Sequence, residues 1–218
     1  VKRIVLVCLA VGAVGIPCAR ATAQGPGATG DLPPAGYGTL NQDQLSIRLQ
    51  DGDIEVRLLP LEERLLRLVA RDGYESLHGL VASRRAQIDS AAQTAGIANP
   101  GLALVTFFGL RDDARYDPQN VSLFYRNQFY RPTAIIPISS NFSSRQLPVR
   151  RQASAIFVFE MPLPIYEEFE VAYGSSVSTG WKDILPRLDR ERGRALARWQ
   201  AVRGDTTAPP PKAPSPPR

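Results

Sequence analysis

Glu167, Glu168 and Glu170 stand within one four-residue stretch, and Asp112, Asp113 and Asp117 crowd another. Paired carboxylates serve glycoside cleavage as acid and nucleophile, and clustered ones offer a calcium ion its oxygen ligands. Neither stretch has the regular spacing of a ligand loop, and both read as solvated loop or strand-edge residues. A hydrolase acting on envelope glycans through Glu167, Glu168 or Asp117 is the alternative to a non-enzymatic protein. His78 is the only histidine, which removes histidine triads and multi-histidine metal sites. It follows Tyr74 by four residues and precedes Val81 by three, as a packing residue on or beside a helical stripe. No cofactor, metal site or catalytic residue is expected.

The densest aromatic stretch runs from Leu123 to Arg131. Rings beside guanidinium groups stack on sugars or hold a peptide strand, although strand alternation also buries one set of rings in a core. Phe124, Tyr125, Arg126, Phe129, Tyr130 and Arg131 are therefore the candidate partner surface, with a turn at Asn127-Gln128. A second candidate is the basic stretch 175–203, with seven basic and three acidic residues. Its Arg187, Arg190, Arg194 and Arg198 would draw a helix to an anionic membrane surface or polymer.

Several elements must hold these groups. Leu45 to Leu49 and Ile54 to Leu58 alternate with period two around Asp51-Gly52, a hairpin signature. Pro60, Glu62 and Glu63 suit the first turn of a helix whose stripe is Leu61, Leu65, Leu68 and Val69. Asp72 with Glu75 caps a second helix running to about Ala95, with Tyr74, Leu77, Val81, Ile88, Ala91 and Ala95 inward and Gly96 as the stop. From Leu102 the pattern changes to six short β-branched or aromatic runs, at 102–108, 121–125, 129–131, 134–138, 153–159 and 169–173. These predict an antiparallel sandwich with Pro132, Pro137, Pro148, Pro162 and Pro164 at strand ends or edges. Helical spacing returns over 181–203, with Leu185, Leu188, Ala195, Trp199 and Val202 on the inner side.

Lys2 and Arg3, the apolar run from Ile4 to Ile16 and the small residues Ala21 and Ala23 read as an export signal cut before Gln24. The apolar run is shorter than the roughly 20 residues a bilayer span requires. Cys8 and Cys18 both fall inside this leader, so the remaining chain has no disulfide or cysteine metal site. Loss of Lys2, Arg3 and Arg20 lowers the formal charge from +5 to +2, too little attraction to make nucleic acid a partner. The segments are a leader at 1–23, a Gly/Pro-rich flexible lead-in at 24–38, a β-hairpin plus helical hairpin at 39–100 and a β-sandwich at 101–175. A basic C-terminal helix at 176–203 and a Pro-rich disordered tail at 204–218 complete the chain.

The apolar strand Leu102 to Gly109, the polar loop Arg111 to Asn120, the strand and turn Val121 to Pro132 and the late stretch Ser154 to Gly174 together carry a resemblance. Over 102–174 the chain resembles bacterial extracytoplasmic immunoglobulin-like domains of the telokin-like type. In these, a run similar to Phe157 to Pro162 precedes a final strand similar to Phe169 to Tyr173. That family is largely of unknown function and implies no catalytic residues. The expectation is an α+β fold, an immunoglobulin-like antiparallel sandwich preceded by a β-hairpin and two helices and followed by a C-terminal helix. In function it is an exported binding or structural module of a bacterial cell envelope, periplasmic or extracellular, with an envelope protein or polymer as partner.

Overall fold

Alternation along the chain becomes alternation across a sheet, because successive side chains leave a strand on opposite faces. The computed structural model describes residues 32–206. The expected leader with its expected cut between Ala23 and Gln24, residues 24–31 of the expected lead-in and residues 207–218 of the expected tail lie outside the described residues. Strands β1 (Ile47–Asp51) and β2 (Ile54–Pro60) form the expected hairpin. Gly52 turns it with φ +55°, a backbone region that L side chains rarely adopt.

Helix α1 (Glu63–Leu66) is a single turn. Pro60 does not open it: it is the last residue of β2, opposite Ala103, and Glu62 caps the helix by accepting from the Arg64 amide. Leu68 and Val69 are buried as expected, but they leave the helix because Leu40 bridges to them: the Leu40 amide donates to the Leu68 carbonyl and the Ala70 amide to the Leu40 carbonyl. The second helix is two, α2 (Arg71–Ser83) and α3 (Arg85–Thr94), with Arg84 outside helical geometry between them. Asp72 and Glu75 form no capping box; α2 starts two residues earlier, with Ala70 as its N-cap, and Glu75 binds Arg71 instead. Leu77, Ile88 and Ala92 are the buried residues; Ala91 is half-buried, and Ala95 is exposed because α3 has ended.

Next come β3 (Gly101–Gly109), β4 (Ala114–Arg115), β5 (Val121–Tyr125), β6 (Gln128–Tyr130) and β7 (Ala134–Pro137). They are followed by β8 (Gln146–Leu147), β9 (Gln152–Phe159), β10 (Glu170–Tyr173), β11 (Ser176–Ser178) and α4 (Trp181–Thr206). One antiparallel sheet has the order β1-β2-β3-β9-β7, a second has β11-β10-β5-β6, and β4 pairs with β8. Since β2 pairs with β3 along seven residues, the hairpin is continuous with the larger sheet. The fold is α+β with antiparallel sheets and a C-terminal helix.

The two main sheets meet through Phe107 of β3, whose ring lies 5.7 Å from Tyr173 of β10. Buried side chains from both sheets and from all four helices form one apolar cluster. The turn after β10 closes against the first hairpin: Ser175 Oγ donates to Asp51 at 2.8 Å and Ser176 Oγ to the Gln50 carbonyl at 2.6 Å. Gly174, at φ +58°, has no room for a Cβ beside the Asp51 carboxylate. Along α4 the inward stripe is Trp181, Ile184, Leu188, Glu191 and Ala195. The expected Val202 is 52% exposed, and Leu185 and Trp199 flank the stripe half-buried. Trp181 is fully buried, packs on Phe169 at 5.0 Å and donates its indole N–H to the Ile165 carbonyl.

Tyr116 carries a pH consequence. Its hydroxyl donates to the Phe142 carbonyl at 2.7 Å, and burial pushes the phenol up to about 12. Between pH 10 and 12 the unfolded chain releases this proton while the native chain retains it, so stability falls as pH rises. The expected loss is on the order of 2 kcal/mol, and Tyr173, also raised by burial, acts in the same direction. Urea midpoints at pH 9 and 11.5 check this: Tyr116→Phe should be less stable at pH 9 and lose less on going to 11.5.

Candidate functional site

The β5–β6 hairpin turns at Arg126 and Asn127, with φ of +49° and +62°, the left-handed pair that a two-residue hairpin turn requires. Asparagine accepts this conformation readily; arginine does so at a cost of about 1 kcal/mol. Side-chain contacts offset it. The Arg126 guanidinium bonds Glu167 at 3.0 Å and lies 4.9 Å from the Tyr125 ring centre, and the Tyr125 hydroxyl donates to Glu167 at 2.5 Å. That hydroxyl first, and then Arg126, hold the Glu167 carboxyl below its ordinary range. The same hydrogen bond to Glu167 raises the Tyr125 phenol. A general acid for glycoside cleavage needs the opposite shift.

The six candidate surface residues divide between two faces. Phe124 and Phe129 are cross-strand partners with ring centres 4.8 Å apart, and Phe129 is 69% exposed. Tyr125 and Tyr130 turn to the other face and pack half-buried against the core, the Tyr130 hydroxyl donating to Gln128. Arg126 and Arg131 remain exposed at the two ends of β6. A recess of about 280 Å³ runs beside Phe124, Arg126, Glu168, Glu170 and Lys182. β6 is the outermost strand of its sheet. Counting from the two-residue turn, Phe124 and Phe129 form the non-hydrogen-bonded pair, which aims the Phe129 amide and carbonyl away from β5.

The structure does not bring the two carboxylate groupings together. Asp117 precedes the start of β5 and Glu167 meets Tyr125 at its end, so about 17 Å of strand separates them. A catalytic pair needs roughly 5–9.5 Å. The aspartates have structural partners: Asp112 accepts from the Val149 amide, Asp113 from Gln146 and Asp117 from the Gln119 amide. His78 is exposed on α2 and stacks on Tyr74 at 5.3 Å. Among the described residues no group of three His, Cys, Asp or Glu side chains could hold a metal ion.

Two features were not anticipated. A recess of about 630 Å³ lies between α3 and the turn at Pro162-Leu163, floored by Leu61, Ile88 and Ala92. Of its charged rim residues, Arg85 pairs with Asp89, Glu62 with Arg64 and Glu63 with Arg67. The other is Glu191, a carboxylate only 3% exposed, which accepts from the Thr39 amide and hydroxyl, each at 2.9 Å, and from Arg198. Its signal was an acid in the Leu188–Ala195 stripe. Of the four arginines assigned to a membrane surface, Arg198 thus turns inward, also reaching the Tyr37 carbonyl, and Arg187 bonds the Gln44 carbonyl. Arg190 and Arg194 stay exposed. Among the described residues no helix is long and apolar enough to cross a membrane.

No protein-family model and no curated protein matches the chain. Among solved structures, a functionally unknown protein from Listeria monocytogenes EGD-e is similar over 63% of this chain and 76% of that one, at 12% identity and a TM-score of 0.29. A likeness that distant bears on neither fold family nor function.

Proposed function

We propose that this chain is an exported, non-enzymatic binding module of a bacterial cell envelope, built on an immunoglobulin-like sandwich that presents the β5–β6 hairpin to an envelope protein or polymer. The strand order supports the immunoglobulin-like reading. In chain order, β2-β3-β9-β7 takes the places of strands A, B, E and D, and β11-β10-β5-β6 those of G, F, C and C′. Where antibody domains join B to F by a disulfide, Phe107 packs on Tyr173. Strand β1, the β4–β8 pair, helices α1 to α3 and helix α4 are additions to that plan.

The observation that carries the binding reading is Phe129, an exposed aromatic on an edge strand whose outer backbone groups have no neighbouring strand. Exposed edges are where extended partners add to a sheet, and an aromatic beside arginine adds contact area. A photo-crosslinking side chain at position 129 tests this in intact cells, with position 177 as control. Val177 is 59% exposed on β11, at the opposite edge of the same sheet. The expected result is a discrete adduct from 129 and none from 177, on protein recovered outside the cytoplasm and beginning at Gln24. Equal or absent adducts would remove the binding surface, and an intact leader in the cytosol would remove the envelope.

A further inference from the structure

Arg187, Arg190 and Arg194 follow one another on α4 at spacings of three and four, which places them on one helical face. Together with Thr39, Leu40, Gln44 and Glu191 they line a recess of about 310 Å³. The wall opposite the helix is fixed. Leu40 is held through both its amide and its carbonyl by the Leu68–Ala70 segment, Thr39 is pinned to Glu191, and the Gln44 carbonyl anchors Arg187 at 3.3 Å.

The charge in this recess is unbalanced. Glu191 is its only lining carboxylate and is already engaged by Thr39 and by Arg198, which is not among the lining residues. Several arginines elsewhere have a local carboxylate partner, Arg57 with Glu55, Arg64 with Glu62, Arg67 with Glu63, Arg71 with Glu75 and Arg85 with Asp89. Among the described residues Arg190 and Arg194 meet no carboxylate, and both guanidinium groups are solvent-accessible beside the recess.

We infer that this recess is a phosphate-binding site in which Arg190 and Arg194, supported by Arg187, grip the phosphate group of a phosphate ester. Guanidinium forks match phosphate oxygens in pairs, and a tetrahedral group of charge near −2 suits three cations around a walled recess better than a planar carboxylate of charge −1. The inference shares no residue with the β5–β6 surface and stands independently of the function proposed above.

The test titrates the full chain with inorganic phosphate at pH 7 and low ionic strength, with acetate alongside, following the arginine Nε–H NMR signals and the binding heat. Saturable binding of phosphate, weaker binding of acetate and movement of the Arg190 and Arg194 signals are expected. Arg190→Gln/Arg194→Gln should weaken phosphate by about tenfold or more. Arg115→Gln/Arg151→Gln, the same charge change at exposed residues of other segments, should leave it unchanged. Vesicles of phosphatidic acid, whose headgroup is a phosphomonoester, and of phosphatidylcholine then identify the source. Recruitment to the former that is lost in the Arg190/Arg194 variant assigns a lipid headgroup, and phosphate binding without recruitment assigns a soluble or polymer-borne ester. Absence of saturable phosphate binding, unmoved Arg190 and Arg194 signals, or equal loss in the Arg115/Arg151 variant would overturn the site.

Discussion

Phe107→Ala is expected to lower the free energy of unfolding by about 3 to 5 kcal/mol, a large part of the 5–15 kcal/mol that holds a typical domain. The ring is fully buried and touches Tyr116 at 4.5 Å, Tyr173 at 5.7 Å, Phe142 at 6.2 Å and Phe157 at 6.3 Å. Those four rings come from four different segments, two of them strands of opposite sheets. A cavity at their centre cannot collapse without moving the sheets together, so the loss should approach the upper end of the range. Phe108, the next residue, faces the other way, half-exposed beneath the Arg57 guanidinium at 4.4 Å. Phe108→Ala should cost only about 1 kcal/mol. Urea unfolding of both variants checks the pair, and equal losses would contradict two sheets packed across Phe107.

That contrast shows where the sequence was informative. β3 alternates buried and half-buried residues without exception from Gly101 to Gly109, so its period announced it. β5 begins with the same alternation, whereas β9 and β10 were legible as short apolar and aromatic runs buried on both faces. β4, β8 and β11 are two or three residues long and contain no apolar period; each exists because a partner strand lies opposite. The break at Arg84 was hidden because Ser83, Arg84 and Arg85 are ordinary helix residues with no proline or glycine among them. At the site, alternation separates Phe124 and Phe129 from Tyr125 and Tyr130, but the exposure of Phe129 depends on β6 being outermost, a property of the sheet order. Glu191 was hidden by distance: Thr39 lies 152 residues away, and an acid in an amphipathic helix ordinarily reads as solvated.

Glu191 leads to the second large effect. Arg198→Met should cost about 3 to 5 kcal/mol, more than Glu191→Gln, although the two changes break the same pair. Removing the guanidinium leaves a carboxylate at 3% exposure whose remaining hydrogen bonds are those from the Thr39 amide and hydroxyl. An uncompensated buried charge is the costly half of a broken pair. Removing the carboxylate leaves Arg198, whose side chain is 38% exposed and still donates to the Tyr37 carbonyl at 2.8 Å. It can reach water, so Glu191→Gln should cost about 1 to 2 kcal/mol. The double variant Glu191→Gln/Arg198→Met should be more stable than Arg198→Met alone, because the stranded charge is gone. Hydrogen exchange gives a local reading: the Thr39 amide, which donates to Glu191, should exchange faster in Glu191→Ala, while the Phe107 amide in β3 changes only with global stability. If Arg198→Met and Glu191→Gln cost the same, burial of the carboxylate is not what makes this joint between α4 and residues 37–39 strong.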